Sequence, residues 1–135
     1  MAVLESLFRR TLSGLSGRAL VARALEGRAL RADDVLLVAL GKAAGPMVQG
    51  ACDALGPHVR GVAASHVAWP VPDGVTLYEG GHPLPDARSV VAGQALLEAV
   101  RGRGARMPLF LVSGGGSGLT WRAASGRRPS DATRG

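Results

Sequence analysis

The sequence predicts an α/β fold in which a Rossmann-like, largely parallel sheet is flanked by helices. Short apolar runs of strand length alternate with amphipathic segments of helix length, and this alternation is typical of parallel sheets. Loops rich in glycine and proline directly follow several of the apolar runs. The chain has 135 residues, of which 47% are hydrophobic and 19% are charged, which is enough for one modest domain with a buried core.

The first half of the chain predicts two helices, a strand and a third helix. Residues 3–12 have the apolar spacing of a short amphipathic helix, and the Arg-Ala-Leu repeats after them predict a second helix with Val21 and Leu25 facing inward. The run DVLLVAL at 34–40 suits a strand that is buried on both faces. A glycine turn and a short helix that ends near Gly56 follow this strand.

The second half predicts three more strands and the helix with the clearest boundaries. The strand candidates are residues 60–66, 75–81 and 107–112. Between the last two, the segment 82–104 has apolar residues at helical spacing and predicts a helix that starts after Asp86 as its N-cap and is closed by Gly102 and Gly104.

The net charge of +6 does not indicate a nucleic-acid-binding protein. The segment from Thr120 onward contains four arginines and one aspartate, so half of the excess charge lies there. No basic stripe with interleaved aromatic residues is visible in the sequence. The single cysteine, Cys52, cannot form an intrachain disulfide, and no apolar run approaches the roughly 20 residues of a membrane helix. We therefore expect a soluble, cytoplasmic protein without nucleic-acid or membrane partners.

Three loops that follow predicted strands are the candidate functional segments: 41–46, 80–86 and 113–118. In parallel sheets, ligands bind beyond the carboxyl ends of the strands, so we expect these loops to gather at one edge of the sheet. We assign no residue of the chain to a metal site.

Lys42, in the first of these loops, is the one lysine in a chain whose other basic side chains are all arginines. It precedes a predicted helix, where a lysine can act as a point charge on a carboxylate or phosphate. The spacing LGKAAGPM is not that of a Walker P-loop. The alternative interpretation is an ordinary solvated lysine.

The second loop, EGGHPLPDARS, holds His82 and Asp86 on a backbone stiffened by proline. Histidine titrates near neutral pH, so His82 suits substrate contact or proton transfer. Alternatively, His82 is a hydrogen-bonded structural residue and Asp86 is only a helix cap.

The third loop, VSGGGSG, combines successive backbone N–H groups with two hydroxyls, from Ser113, Gly114, Gly115, Gly116 and Ser117. Such a cluster of N–H groups binds phosphate oxygens well. An ordinary glycine turn is the alternative.

Taken together, LGKAAGPM, GGHPLPDARSVVAGQALLEAV and LFLVSGGGSGL resemble the N-terminal region of the ATP-dependent glycerate 2-kinases, whose C-terminal part carries the MOFRL domain. The resemblance covers residues 1–119, in the same order and at about the same spacing. The His-Pro-x-Pro-Asp stretch is its most specific part. Some family members are labelled hydroxypyruvate reductases, but this sequence has no dinucleotide-binding fingerprint.

The resemblance implies phosphoryl transfer from ATP to the 2-hydroxyl of glycerate, giving 2-phosphoglycerate, with Mg²⁺ as a cofactor. It also implies a two-domain α/β fold with the site between the domains. On this basis Lys42 is the catalytic lysine, residues 113–117 hold phosphate, and His82 and Asp86 belong to a substrate-binding loop. The expected partners are glycerate and a nucleotide.

The sequence departs from the family pattern at Gly118, and residues 120–135 show no apolar periodicity. We expect this last segment to be a non-homologous, disordered basic tail on a chain truncated just after the glycine loop. The sheet would then be incomplete on its C-terminal side, the isolated chain would have little or no kinase activity, and the uncovered sheet edge would favour self-association.

Two other functions stay open at the level of sequence. One is a stand-alone nucleotide- or anion-binding α/β module that uses loops 41–46 and 113–118 without catalysis. The other is an interaction protein whose arginine cluster at 122–134 is the functional part.

Overall fold

The structure, a computed structural model, describes residues 3–7, 16–81 and 84–116. We name three helices and four strands within these ranges. The helices are α1 (Gly17–Leu25), α2 (Ala44–Leu55) and α3 (Ala87–Arg101), and the strands are β1 (Val35–Leu40), β2 (Arg60–Ser65), β3 (Val75–Glu79) and β4 (Met107–Val112). Residues 3–7 are also helical, which agrees with the start of the first predicted helix. A short 3₁₀ turn, Ala32–Asp34, leads into β1.

The predicted parallel sheet is confirmed. Its four strands are all parallel and lie in the order β3-β2-β1-β4. Strand β1 is central, with Leu37 in register with Gly61 on β2 and with Leu109 on β4. Because β1 and β4 are parallel neighbours, the loops that leave their carboxyl ends start side by side.

Helices cover both faces of the sheet, which explains the continuous apolar runs of the central strands. On one face, Leu37 and Ala39 of β1 belong to a core cluster with Val48 of α2. On the other face, Val38 of β1 packs in a second cluster with Leu96 of α3. The central strand β1 therefore needs apolar residues at every position rather than at alternate ones.

Helix α1 packs closely on α2 and orients it. Gly50 of α2 lies directly against the carbonyl oxygen of Arg18, so a side chain at this position would collide with the α1 backbone. The Arg18 guanidinium also holds both carboxylate oxygens of Asp53, at 2.7 and 2.9 Å. The inward positions predicted for α1 are confirmed, because Leu25 is buried and Val21 packs against the same core.

The capping role predicted for Asp86 is also confirmed. Its carboxylate accepts hydrogen bonds from the backbone N–H groups of Arg88 and Ser89, at 2.9 and 3.3 Å. In return, the Ser89 hydroxyl accepts from the N–H groups of Asp86 and Gly81, at 3.2 and 3.0 Å. The capping residue has extended backbone angles, and α3 begins at Ala87, directly after the predicted cap.

Several sequence predictions fall on residues outside the described ranges. These include the basic tail at 120–135, so the domain boundary at residue 119 stays a prediction. Within the described ranges, no helix is long and apolar enough to cross a membrane. The cytoplasmic location also stays a prediction.

The cap of α3 predicts a measurable pH dependence. The Arg88 side chain, which lies 2.9 Å from the Asp86 carboxylate, is the main cause that lowers the pKa of Asp86 from its ordinary value of 3.8. The ionised form is thus favoured in the folded chain, so its stabilising effect is present above pH 3.8 and is lost as the pH falls through the lowered pKa.

We therefore expect wild type to be more stable than Asp86→Asn at neutral pH, with the difference shrinking on acidification. Urea unfolding at a series of pH values measures this difference. Arg88→Ala is the matched control, because it removes the main cause of the lowered pKa. A stability difference that does not change between neutral and strongly acid pH would contradict the assignment.

Candidate functional site

The loops after β1 and β4 are held together by hydrogen bonds. The N–H of Ser113 donates to the carbonyl oxygen of Leu40 at 2.9 Å, and the N–H of Lys42 donates to the carbonyl oxygen of Gly114 at 3.0 Å. The N–H of Ala43 donates to the Ser113 hydroxyl at 3.0 Å. We call residues 40–43 together with 113–116 the loop junction. Two of the three loops predicted to gather at one edge are thus in direct contact.

Gly41 allows this close approach of the two loops. Its φ of +116° lies in the region that favours glycine. A side chain at position 41 would overlap the hydroxyl and the backbone of Ser113. The glycine that the sequence placed after the strand is therefore required by both its backbone conformation and its neighbour.

Lys42 runs alongside the glycine turn at Gly115. A side chain at Gly115 would come within 3.2 Å of the Lys42 Cγ and 3.3 Å of its Cε, so the lysine stem occupies the space beside this glycine. Both residues are exposed, and Gly115 has a φ of +81°. The lysine ammonium and the glycine turn consequently face the same region of solvent.

The exposed turn also offers free backbone donors. Among the described residues, the N–H groups of Gly114 and Gly115 donate to no other atom, whereas the N–H groups of Lys42 and Ala43 are used inside the loop junction. Two neighbouring free N–H groups beside an ammonium form an arrangement that attracts anions. Of the two places where the sequence predicted anion donors, the β4 loop keeps N–H groups without a partner, whereas those of Lys42 and Ala43 before α2 are used.

Asp86, in the second loop, makes its hydrogen bonds within α3 and not with the loop junction. This loop follows β3, which is two strands away from β1, a distance of about 10 Å across the sheet. The Asp86 carboxylate is engaged by the first turn of α3 and by Arg88. His82 and Ser117 lie outside the described residues, so the roles predicted for them stay predictions.

Gly116 has a packing role within the loop junction. It is buried, and a side chain there would come within 2.6 Å of the Leu40 Cδ1. Its closeness to Leu40 explains why a third glycine follows the two that are exposed. The phosphate-binding role that the sequence assigned to Gly116 stays a prediction.

Trp69 is a neighbour of the site that the sequence did not reveal. Its side chain lies directly on Gly45 in the first turn of α2, so that no side chain could fit at position 45. The Gln49 amide nitrogen donates to the carbonyl oxygen of Pro70 at 3.1 Å and fixes the same loop on α2. The sequence could not reveal this contact, because it depends on the path of the loop over α2.

The described residues fit a phosphate group better than a metal ion. Residues 3–7, 16–81 and 84–116 contain no group of three or more histidine, cysteine, aspartate or glutamate side chains that could hold a metal. The lysine and the free N–H groups are the donors that phosphate oxygens accept from.

The fit between Gly41 and Ser113 gives a testable prediction. We expect Gly41→Ala to destabilise the chain more than Gly27→Ala, because both glycines have positive φ but a side chain at Gly27 would meet only open space. Gly27→Ala should cost about 1–2 kcal/mol for backbone strain. The overlap with Ser113 should add about 1–3 kcal/mol at position 41. Urea unfolding measures both, and equal losses would show that the two loops can separate without cost.

Comparison with known proteins points to one family. Residues 3–132 match the family described as Domain of unknown function (DUF4147). D-glycerate 2-kinase of Thermotoga maritima is 41% identical over 95 residues, which are 67% of this chain and 22% of that protein. A protein of Agrobacterium vitis named as a hydroxypyruvate reductase is 36% identical over 88 residues, covering 62% of this chain and 20% of that protein.

A solved structure supports the same relationship. The crystal structure of Thermotoga maritima glycerate kinase superposes with a TM-score of 0.80 and 31% sequence identity. The match covers 93% of this chain and 31% of that one, so the chain spans about a fifth to a third of the length of these relatives. The chain belongs to the DUF4147 family, and the resemblance to glycerate kinases seen in its sequence is confirmed.

Proposed function

We propose that the loop junction binds the phosphate groups of ATP in an enzyme that phosphorylates glycerate at its 2-hydroxyl. The observation that carries the proposal is the position of Lys42 beside the free N–H groups of Gly114 and Gly115. The names of the Thermotoga maritima relatives supply the reaction class and the substrate.

The geometry suits what phosphoryl transfer requires. In this reaction the protein mainly positions the phosphates and stabilises their negative charge. The Lys42 ammonium would supply the positive charge, and the N–H groups of Gly114 and Gly115 would donate to phosphate oxygens. Mg²⁺ would enter with the nucleotide, as the MgATP complex.

The name hydroxypyruvate reductase would require a different site. A dinucleotide-binding turn has three glycines in a fixed spacing between a strand and a helix. The turn between β1 and α2 reads LGKAAG instead, and its first N–H groups are used inside the loop junction. We therefore favour the kinase reaction over hydride transfer.

This chain matches only part of the length of its relatives, so we do not expect the 135 residues to carry out the complete reaction alone. Their complete activity rests on a chain about three times as long. We propose that the 135-residue chain binds polyphosphate without turning glycerate over. A stand-alone anion-binding module would behave in the same way in a binding assay.

The binding proposal is tested with inorganic pyrophosphate and ATP by titration calorimetry. We expect Lys42→Ala to weaken the affinity for both about 10-fold or more, which is typical of losing a charged hydrogen-bond donor. Arg60→Ala is the control for net charge, because Arg60 begins β2 at the opposite edge of the sheet. An equal loss from both variants would show that the anion responds only to net charge.

A turnover assay separates catalysis from binding. The chain is incubated with ATP, Mg²⁺ and glycerate, and phosphorylated glycerate is measured. Binding of polyphosphate without formation of phosphorylated glycerate would support the proposal that this chain binds but does not catalyse. Robust turnover by the 135 residues would contradict it, and failure to bind either polyphosphate would overturn the assignment of the loop junction.

We also propose that β4 pairs with β4 of a second copy. Within the described residues no strand pairs with the outer side of β4, and Met107–Val112 carries no charge that would discourage pairing. The N–H of Ser113 points to β1, so strand alternation turns the N–H groups of Phe110 and Val112 outward.

An antiparallel pair centred on Phe110 uses these donors well. The two Phe110 residues would exchange two hydrogen bonds, and each Val112 N–H would donate to the carbonyl oxygen of Pro108 in the other copy. Pro108 has no N–H to leave unpaired. The two phenylalanine side chains would then be cross-strand neighbours, which is a favourable aromatic contact.

A charge at the centre of this pair should prevent it. We expect Phe110→Lys to shift the chain toward monomer in sedimentation equilibrium, because the two lysines would lie opposite each other. Val91→Lys on α3 is the control, since Val91 and Phe110 are both 56% exposed. A wild-type chain that is monomeric at all concentrations, or equal behaviour of the two variants, would overturn the pairing.

A further inference from the structure

We infer that Ser113 is a positioning residue, which holds Lys42 in place for an anion and does not itself touch the anion. The inference rests on the proposed function of the loop junction and changes the role of one residue in it. The resemblance placed Ser113 among the phosphate-binding residues, but the hydrogen bonds of its hydroxyl give it a different task.

The hydroxyl of Ser113 is already committed within the protein. Its Oγ accepts a hydrogen bond from the N–H of Ala43 at 3.0 Å and donates to the carbonyl oxygen of Leu40 at 3.4 Å. A serine hydroxyl has one hydrogen to donate. With that hydrogen assigned to Leu40, we infer that Ser113 donates no hydrogen bond to a phosphate oxygen, which can only accept.

The bond to Ala43 holds the residue that precedes α2, and it is not a helix cap. Ala43 is the N-cap residue of α2, and its own side chain has no oxygen with which to cap the helix. The hydroxyl oxygen of Ser113, 70 residues further along the chain, accepts from the N–H of Ala43 itself. The start of α2 is thereby fixed to the end of β4.

Lys42 lies between two bonds that lead to the same loop. Its own N–H donates to the carbonyl oxygen of Gly114, and the next N–H along the chain, that of Ala43, donates to Ser113. These two bonds set the backbone direction at Lys42 and hence the direction in which its stem passes Gly115. Loss of the Ser113 hydroxyl would leave the second bond unmade and allow the lysine to turn away.

A double-mutant cycle distinguishes positioning from direct contact. The affinity of the full 135-residue chain for inorganic pyrophosphate is measured for wild type, Ser113→Ala, Lys42→Ala and the double variant. We expect Ser113→Ala to weaken binding about 5- to 10-fold in the wild-type background and less than about 2-fold when Lys42 is already alanine. Ser113→Thr, which keeps a hydroxyl, should restore most of the affinity.

Amide hydrogen exchange supplies a readout that needs no ligand. In Ser113→Ala, the N–H of Ala43 should exchange faster than in wild type, and Ser113→Thr should restore its protection. The N–H of Val38, in the centre of the sheet, is the control for global stability. An unchanged Ala43 exchange rate would show that the serine bond does not hold the loop, and would overturn the inference.

The outcomes also separate this inference from the function on which it rests. An equal loss of affinity from Ser113→Ala in both backgrounds would mean that the hydroxyl contacts the anion directly, and would overturn only the positioning role. Absence of pyrophosphate binding by the unchanged chain would overturn the proposed function and the positioning role together.

Discussion

The parallel pairing of β1 with β4 is the interaction on which the candidate site depends. It brings together two loops that are about 70 residues apart in the chain, and three hydrogen bonds with the backbone N–H groups of Lys42, Ala43 and Ser113 fix them to each other. Neither loop forms the site alone, because one supplies the lysine and the other supplies the free N–H groups. The site is thus a property of the sheet order, which places β4 next to β1.

The rest of the fold holds this pair of loops in place. Helix α1 fixes α2 through the close contact at Gly50 and the ion pair between Arg18 and Asp53. The loop after β2 presses Trp69 onto Gly45 in the first turn of α2. Because α2 is held from two sides, its start cannot move away from the β4 loop without disturbing the core face that it covers.

Polar groups at the site divide into those that build it and those that are left for a ligand. The N–H groups of Lys42, Ala43 and Ser113 are all used between the loops, and the Ser113 hydroxyl is used as well. Among the described residues, the exposed turn keeps the N–H groups of Gly114 and Gly115 free, with the lysine stem beside it. This division gives a rigid support with a small exposed anion-attracting surface, which suits the phosphate group of a substrate that must also leave.

Much of the fold followed from the sequence by itself, because the local signals were strong. Continuous apolar runs marked β1 and β4 as parallel strands, and Asp86 marked the start of α3 through its capping chemistry. The burial predicted for both strands holds for β1 but not for β4, which lies at the edge of the sheet with only Leu111 buried. Lys42 stood out as the one lysine among arginines, and the glycine loop stood out by its composition. The family resemblance required no more than the order of these segments.

Only the tertiary structure decided how these segments meet. Sequence spacing cannot show that Gly41 faces Ser113, that the Ser113 hydroxyl is already used, or that Trp69 lies on Gly45, since each contact joins residues distant in the chain. All strands are parallel, so the three loops do leave from one edge as the sequence predicted, but the order of strands starts the Asp86 loop two strands away from the Lys42 loop. Local propensities specify helices and strands, whereas strand pairing and packing determine which of their ends become neighbours.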